Sequence, residues 1–247
     1  MLTFSLPDML ALAWFIGAWL AYSMIIEKSA RGRISLNALM NHYRDQWMER
    51  LLSRDVRIVD SQVTAALQNG TAFFASTSLI AVGGTLTLLR STEQISNVVA
   101  SLPFAVASSP EMWEFKLVGL AIIFVYAFFK FAWSYRLFNY FAIMVGAAPP
   151  PAEKGTAAAQ AFAHRAARLC ADAGLHFNRG QRAFFFALGY LGWFLGPLEF
   201  AITTTGVVIV IWRRQFASVA RRAFDAHAFD AEVKPARRAR LSPSKRR

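Results

Sequence analysis

Long apolar blocks separated by shorter polar stretches set the pattern of the chain. The blocks fall at residues 6–26, 65–89, 115–148 and 183–212. A helix that crosses the hydrocarbon core needs about 20 mostly apolar residues, and each block reaches that length. The pattern predicts an all-α integral membrane helical bundle of about four transmembrane helices. Between blocks the period changes. In "SLNALMNHYRDQWMERLLSRD", residues 35–55, Leu36, Leu39, Met40, Tyr43, Trp47 and Leu51 recur at helical spacing. Arg44, Asp45, Glu49 and Arg50 fall largely opposite them, and Ser35 is placed to cap the start. This amphipathic helix either lies at the headgroup boundary, where Trp, Tyr and Arg are at home, or packs on another cytoplasmic segment. A second amphipathic helix is expected at 156–173, with Phe162, Ala166, Leu169 and Ala173 on one side. Pro149, Pro150 and Pro151 precede it, and Gly174 is its natural stop.

The second block has a sevenfold repeat. Thr64, Thr71, Ser78, Thr85 and Thr92 fall on one side; Gln62, Asn69, Ser76, Gly83 and Arg90 fall roughly opposite, with Gly70, Thr77 and Gly84 between. Small residues permit close helix approach and hydroxyls bond across helices. This span is therefore expected at the centre of the bundle, its Thr71, Ser78 and Thr85 forming either a packing seam or a polar path. In the fourth block Gly192 and Gly196, with Gly189, form a small-residue face for close helix contact. Pro197 cannot donate to the carbonyl of Trp193, so a kink is expected there. The alternative to a full fourth crossing is a break at Gly196-Pro197 into a re-entrant hairpin with arms 183–195 and 198–212.

Charges inside the blocks are expensive, roughly 2.5–3.5 kcal/mol at the bilayer centre. Lys130 and Glu199 are expected to meet between the third and fourth spans; otherwise Lys130 snorkels and Glu199 is protonated or faces water. Arg136 and Asn139 add further polar groups to the third block. Just before the fourth block, Asn178 followed by Gln181 is a variant of the helix-start box, and Arg179 and Arg182 beside it suit lipid phosphates.

Net charge is +12 over 247 residues. The basic residues lie between and after the spans, so anionic membrane lipids are the expected partners and nucleic acid is not. No Lys or Arg precedes the first block, which reads as a span rather than a cleaved leader. Lys28, Arg31, Arg33, Arg44, Arg50, Arg54 and Arg57 fill the first connection, and Lys154, Arg165, Arg168, Arg179 and Arg182 the third; the second holds only Arg90 and Lys116. Basic loops stay inside, which predicts a multi-pass protein of the cell inner membrane with its N-terminus outside. Four full crossings would then leave Arg213, Arg214, Arg221 and Arg222 outside, whereas a hairpin would return them to the cytoplasm. Residues 1–215 form the membrane domain, and the Pro-, Ser- and Arg-rich end of 216–247 predicts a disordered basic tail.

Catalytic patterns are missing from the sequence. It has no GxxxxGK loop, no H-E-x-x-H and no G-x-S-x-G elbow. His164, Cys170 and His176 are six apart, so each is turned by about 240° from the last and they do not converge on a metal. No catalytic, cofactor or metal site is expected. The leading expectation is a non-enzymatic membrane protein that acts through assembly with itself, as a homo-oligomer, or with a membrane partner. The second is a small oligomeric transporter or channel using the polar faces of the second and fourth spans.

"FNRGQRAFFF" and "WFLGPLEF", with "RLFN" at 136–139 and "FFASTS" at 73–78, resemble the uncharacterised bacterial and plant membrane family known as domain of unknown function 599. The resemblance runs from about the first span to the end of the fourth and leaves out the basic tail. It implies a multi-span helical membrane protein and supplies no activity.

Overall fold

The computed structural model describes residues 5–29, 35–92 and 109–217. In chain order they form α1 (Leu6–Lys28), α2 (Leu36–Leu51), α3 (Ile58–Leu89), α4 (Pro110–Gly146), α5 (Ala157–Tyr190) and α6 (Pro197–Phe216), with 3-10 turns at Pro151–Glu153 and Leu191–Phe194. The starts are chemically marked. The hydroxyls of Ser5, Ser35, Ser109 and Thr156 accept from the backbone N–H of Asp8, Ala38, Met112 and Ala159, satisfying donors that the helix leaves open. Among the described residues, α1, α3 and α4 are long and apolar enough to cross a membrane.

Side-chain contacts fix the direction of each helix. Arg57 at the start of α3 donates to the carbonyls of Ala148 and Pro149 beyond the end of α4, and Phe74 stacks on Phe131 at 5.3 Å, so α3 and α4 are antiparallel. Lys116 donates to the carbonyl of Trp193 (2.8 Å) and Ser134 to that of Ala173 (2.7 Å), so α4 and α5 are antiparallel too. The hydroxyl of Thr203 donates to the carbonyl of Gly189, folding α6 back along α5. Trp14 donates to Thr205 and Tyr22 to the carbonyl of Ile211, so α1 runs alongside α6 in the same direction. The bundle therefore has two ends. The start of α1, the end of α3, the start of α4 and the α5–α6 turn share one, called here the tip. The end of α1, α2, the start of α3, the end of α4, the start of α5 and the end of α6 share the other, called the basic end.

Two buried clusters hold the bundle. Phe15, Phe131, Phe186, Tyr190, Trp193 and Phe200 anchor the larger one. At the basic end, Met48, Leu51, Leu52, Phe138, Phe141 and Val145 pack against alanines and Cys170 on α5. Small side chains at Ala159, Ala163, Ala166 and Ala173 let α5 approach α2 and α4 closely. The helix at 36–51 thus packs on another segment of the chain, one of its two expected positions.

Three expectations are corrected. The amphipathic helix does not stop at Gly174, because α5 runs unbroken from Ala157 to Tyr190. That glycine serves side-chain packing instead: a Cβ there would lie 2.6 Å from Nη2 of Arg44. Second, block 183–212 is neither one straight span nor a kinked one. After the 3-10 turn the backbone becomes extended at Gly196, and Pro197, which has no N–H to give, opens α6 in the reverse direction. Both arms reach the tip, level with Asp8 and Lys116. Third, α3 is an edge helix rather than the central one. Thr64, Thr71, Ser78, Thr85 and Thr92 are buried against α4, but Gln62, Asn69, Ser76, Gly83 and Arg90 are exposed, and a Cβ at Gly70, Gly83 or Gly84 would meet nothing within 4 Å. The tail at 218–247 lies outside the described residues.

Candidate functional site

The most polar interior of the bundle lies toward the basic end, around the middle of α5. Asn178, Gln181, Arg182 and Phe185 are spaced by three and four residues, which places them on one face. They do not start a helix, contrary to the expectation for Asn178 and Gln181. Continuous α5 already engages their backbone N–H groups in its own ladder, so the amide side chains are not needed as caps and line a cleft.

Glu27, in the last turn of α1, anchors two of the arginines. Arg179 holds it with both Nε, 3.0 Å from Oε1, and Nη2 on Oε2; Nη2 of Arg182 donates to Oε1 at 3.1 Å. The Arg182 guanidinium lies 5.6 Å from the centre of the Tyr22 ring, an attraction between a cation and an aromatic face. Its side chain is only 7% exposed.

A cavity of about 280 Å³ opens beside Arg182 between α1, α2, α5 and α6. Its polar lining includes Asn37, Asn178, Gln181, Arg182, Arg214 and Gln215, and among the described residues no carboxylate lines it. Nη1 of Arg182 and Nε2 of Gln215 are buried without a hydrogen-bond partner. Buried polar atoms almost always have partners, so two donors left without one among the described residues, both on residues of this lining, single the cavity out. A larger groove of about 470 Å³ between α1 and α4 is walled by apolar residues such as Ile16, Leu20 and Ile122, and ends at Glu27 and Arg179.

At the tip a different set of polar groups is closed on itself. Lys116 is 2% exposed; its ammonium donates to the Trp193 carbonyl and lies 5.5 Å from the centre of that ring. The Trp193 indole N–H donates to Asp8 at 2.8 Å.

Lys130 and Glu199 do not meet. Lys130 sits over the Tyr126 ring at 5.1 Å, one residue before Phe131, which packs on Gly180. Glu199 lies in the first turn of α6, level with Gly192. Gly180 and Gly192 are twelve residues apart along α5 and the 3-10 turn that follows it, about 18 Å. The hairpin is the cause: it moves Glu199 from mid-span to a helix N-terminus at the tip, where the dipole favours a carboxylate. Arg136 lies against the rings of Trp133 and Tyr140 and donates to the Tyr140 hydroxyl. Asn139 accepts from Gln68. Thr71, Ser78 and Thr85 each donate to the carbonyl four residues back in α3, at 2.7 Å. Gly189 and Gly192 are the close-approach points of the hairpin: a Cβ would lie 3.3 Å from Cα of Thr204 at the first and 2.8 Å from the Glu199 carbonyl at the second.

Tyr22, Glu27, Asn37, Arg214 and Gln215 escape sequence reasoning as site residues, since they come from three other helices. Glu27 alone carries a signal, as an acid in the last turn of an apolar helix that ends in Lys28.

The model of the family described as "Protein of unknown function, DUF599" matches residues 10–220. This chain belongs to the DUF599 family. The match takes in α1 from Leu10 onward and α2 to α6, and with them every residue of the cavity. No curated protein and no solved structure matches. Among the described residues of this DUF599 protein, no three His, Cys, Asp or Glu side chains are grouped to hold a metal. Its long apolar helices make it a membrane protein, with the cavity beside Arg182 toward one end.

Proposed function

We propose that this DUF599 protein crosses the cell inner membrane five times and acts without catalysis, by pairing with a second copy of itself through the open face of α3. One observation carries the pairing. On a helix apolar enough to span the bilayer, Gln62, Asn69, Ser76 and Gly83 are exposed, with Gly70 and Gly84 open beside them. Lipid cannot satisfy amides, whereas a second helix can, and small residues let it approach. Amide groups both donate and accept, so a face of Gln and Asn is complementary to itself about a twofold axis. The second copy is therefore the partner this face suits best.

Five crossings agree with the charge pattern. The first and third connections and the end of α6 lie at the basic end, and only Arg90 and Lys116 of the cations at the span ends lie at the tip. Placing the basic end in the cytoplasm puts the N-terminus outside and the C-terminal tail inside. A transporter would need a continuous polar cavity. The buried hydroxyls of α3 are instead bonded to their own backbone, which favours packing over passage.

The test is disulfide trapping in native membranes. Single cysteines at Gln62, Asn69, Ser76 and Gly83 should form covalent dimers on mild oxidation, and cysteines at Ile80 and Leu79 should not. The Gly84→Leu background should abolish the dimer. Equal trapping at all positions, or none at any, removes this pairing.

A further inference from the structure

We propose that the cavity beside Arg182 is a binding site for a phosphate group, presented by the headgroup of an anionic lipid or by free phosphate. Four observations converge on it. The Arg182 side chain is 93% buried, yet Nη1 has no partner, while Nη2 is held by Glu27 and the guanidinium by the Tyr22 face. The Arg182 head is thus fixed in place with one donor unused. Nε2 of Gln215, from α6, is a second buried donor without a partner in the same cavity. Arg214, whose guanidinium lies 5.5 Å from the centre of the Phe185 ring, supplies a second cation. Asn37, Asn178 and Gln181 add amide donors from α2 and α5.

The electrostatics select the ligand. Among the described residues, two arginines line the cavity and no acid does. Glu27, at the end of α1, is engaged by both Arg179 and Arg182. A cation would meet repulsion, and a neutral ligand would leave the two orphan donors competing for few acceptors. A phosphate offers several acceptor oxygens to a fork of guanidinium donors. A volume of about 280 Å³ admits such a group. Ile26, Phe185 and Ile211 on the same wall suit the glycerol and first methylenes of a lipid. The site does not involve α3, so it stands or falls apart from the pairing proposed above.

Thermal unfolding of the full chain in a phosphate-free maltoside detergent tests this. Phosphatidylglycerol should raise Tm in a saturable way, and diacylglycerol at equal concentration should not. A rise with phosphatidylglycerol alone identifies a lipid headgroup; a rise with inorganic phosphate as well identifies the phosphate group itself as sufficient. Gln215→Leu and Arg214→Gln should each shift the half-saturating concentration upward about tenfold or more, the loss expected when a charged ligand loses a direct donor. Arg182→Gln should do the same, but it also releases Glu27, so the first two variants decide. Arg213→Gln removes the same charge one residue away, outside the cavity, and should leave the titration unchanged. If neither probe raises Tm, or if Arg213→Gln weakens the response as much as Arg214→Gln, the attraction is absent or diffuse and the site is refuted.

Discussion

Lys116 shows how a charge can be placed inside an apolar bundle. Its ammonium is almost wholly buried, donates to a carbonyl that the α5–α6 turn presents, and lies over the ring of the same tryptophan. Lys116→Met should cost roughly 1–3 kcal/mol, because the Trp193 carbonyl would be left buried without its donor; detergent-induced unfolding measures it. Gly180 is the opposite case, a residue whose function is to be small. A Cβ there would come within 2.7 Å of the Phe131 ring, so Gly180→Ala should cost about 1–3 kcal/mol by overpacking. Cys170 lies outside the apolar spans, fully buried between α2 and α5, and burial pushes its thiol up to about 11, with Arg44 pulling partly back. Only the thiolate is nucleophilic. Native protein at pH 8 should therefore resist alkylation that unfolded protein accepts within minutes, and labelling should begin only as the pH rises toward that value. Charge exchange between Lys130 and Glu199 should bring no recovery: the losses from Lys130→Glu and Glu199→Lys should add in the double variant, since an intervening stretch of α5 separates them.

The α5–α6 hairpin is the element on which the site depends. It brings Arg214 and Gln215 back beside Arg182, the chain having run out to the tip along the end of α5 and returned along α6. Gly189 and Gly192 hold its arms together through backbone-close contact with α6. Gly192→Leu should force the arms apart, lower folded yield severalfold and also weaken the phosphate response, because the two halves of the cavity sit on different arms. Helix α3 behaves differently. Its open glycines touch nothing within one chain, so Gly84→Leu should leave monomer stability unchanged within about 0.5 kcal/mol while removing the dimer. Size-exclusion chromatography with light scattering separates the two outcomes.

For the whole molecule, the distinction between tip and basic end gives a simple orientation test. With the basic end inside, cysteines at Asn37 and Ser242 should be labelled by an impermeant thiol reagent only after the cells are opened, and one at Ser101, in the connection between α3 and α4, should be labelled in intact cells. Labelling of Ser242→Cys from outside would mean an even number of crossings. Helices α4 and α5, at 37 and 34 residues, are about 50–55 Å long at 1.5 Å per residue, well beyond the hydrocarbon thickness of about 30 Å. Their surplus gathers with α2 at the basic end, where the second buried cluster forms a layer of its own.

Local sequence determined the class of this protein, its apolar helices and the Ser35 cap that starts α2, because these depend on local composition and on side chains a few residues apart. The same local reasoning found Asn178, Gln181 and Arg182, but gave the two amides the task of starting a helix that in fact runs through them. Gly174, the expected stop, lies instead inside α5 and against Arg44, some 130 residues earlier in the chain. The reversal at Gly196-Pro197 was visible as one of two options. Choosing between them required the tip contacts of Trp193 with Asp8 and Lys116, on α1 and α4. The periodicity of α3 identified a buried stripe correctly and a second stripe ambiguously, since small polar residues suit both a neighbouring helix in the same chain and one in another copy. The cavity could not be read from the sequence at all: its lining comes from four helices, and only their packing leaves donors of Arg182 and Gln215 buried without an acceptor among the described residues.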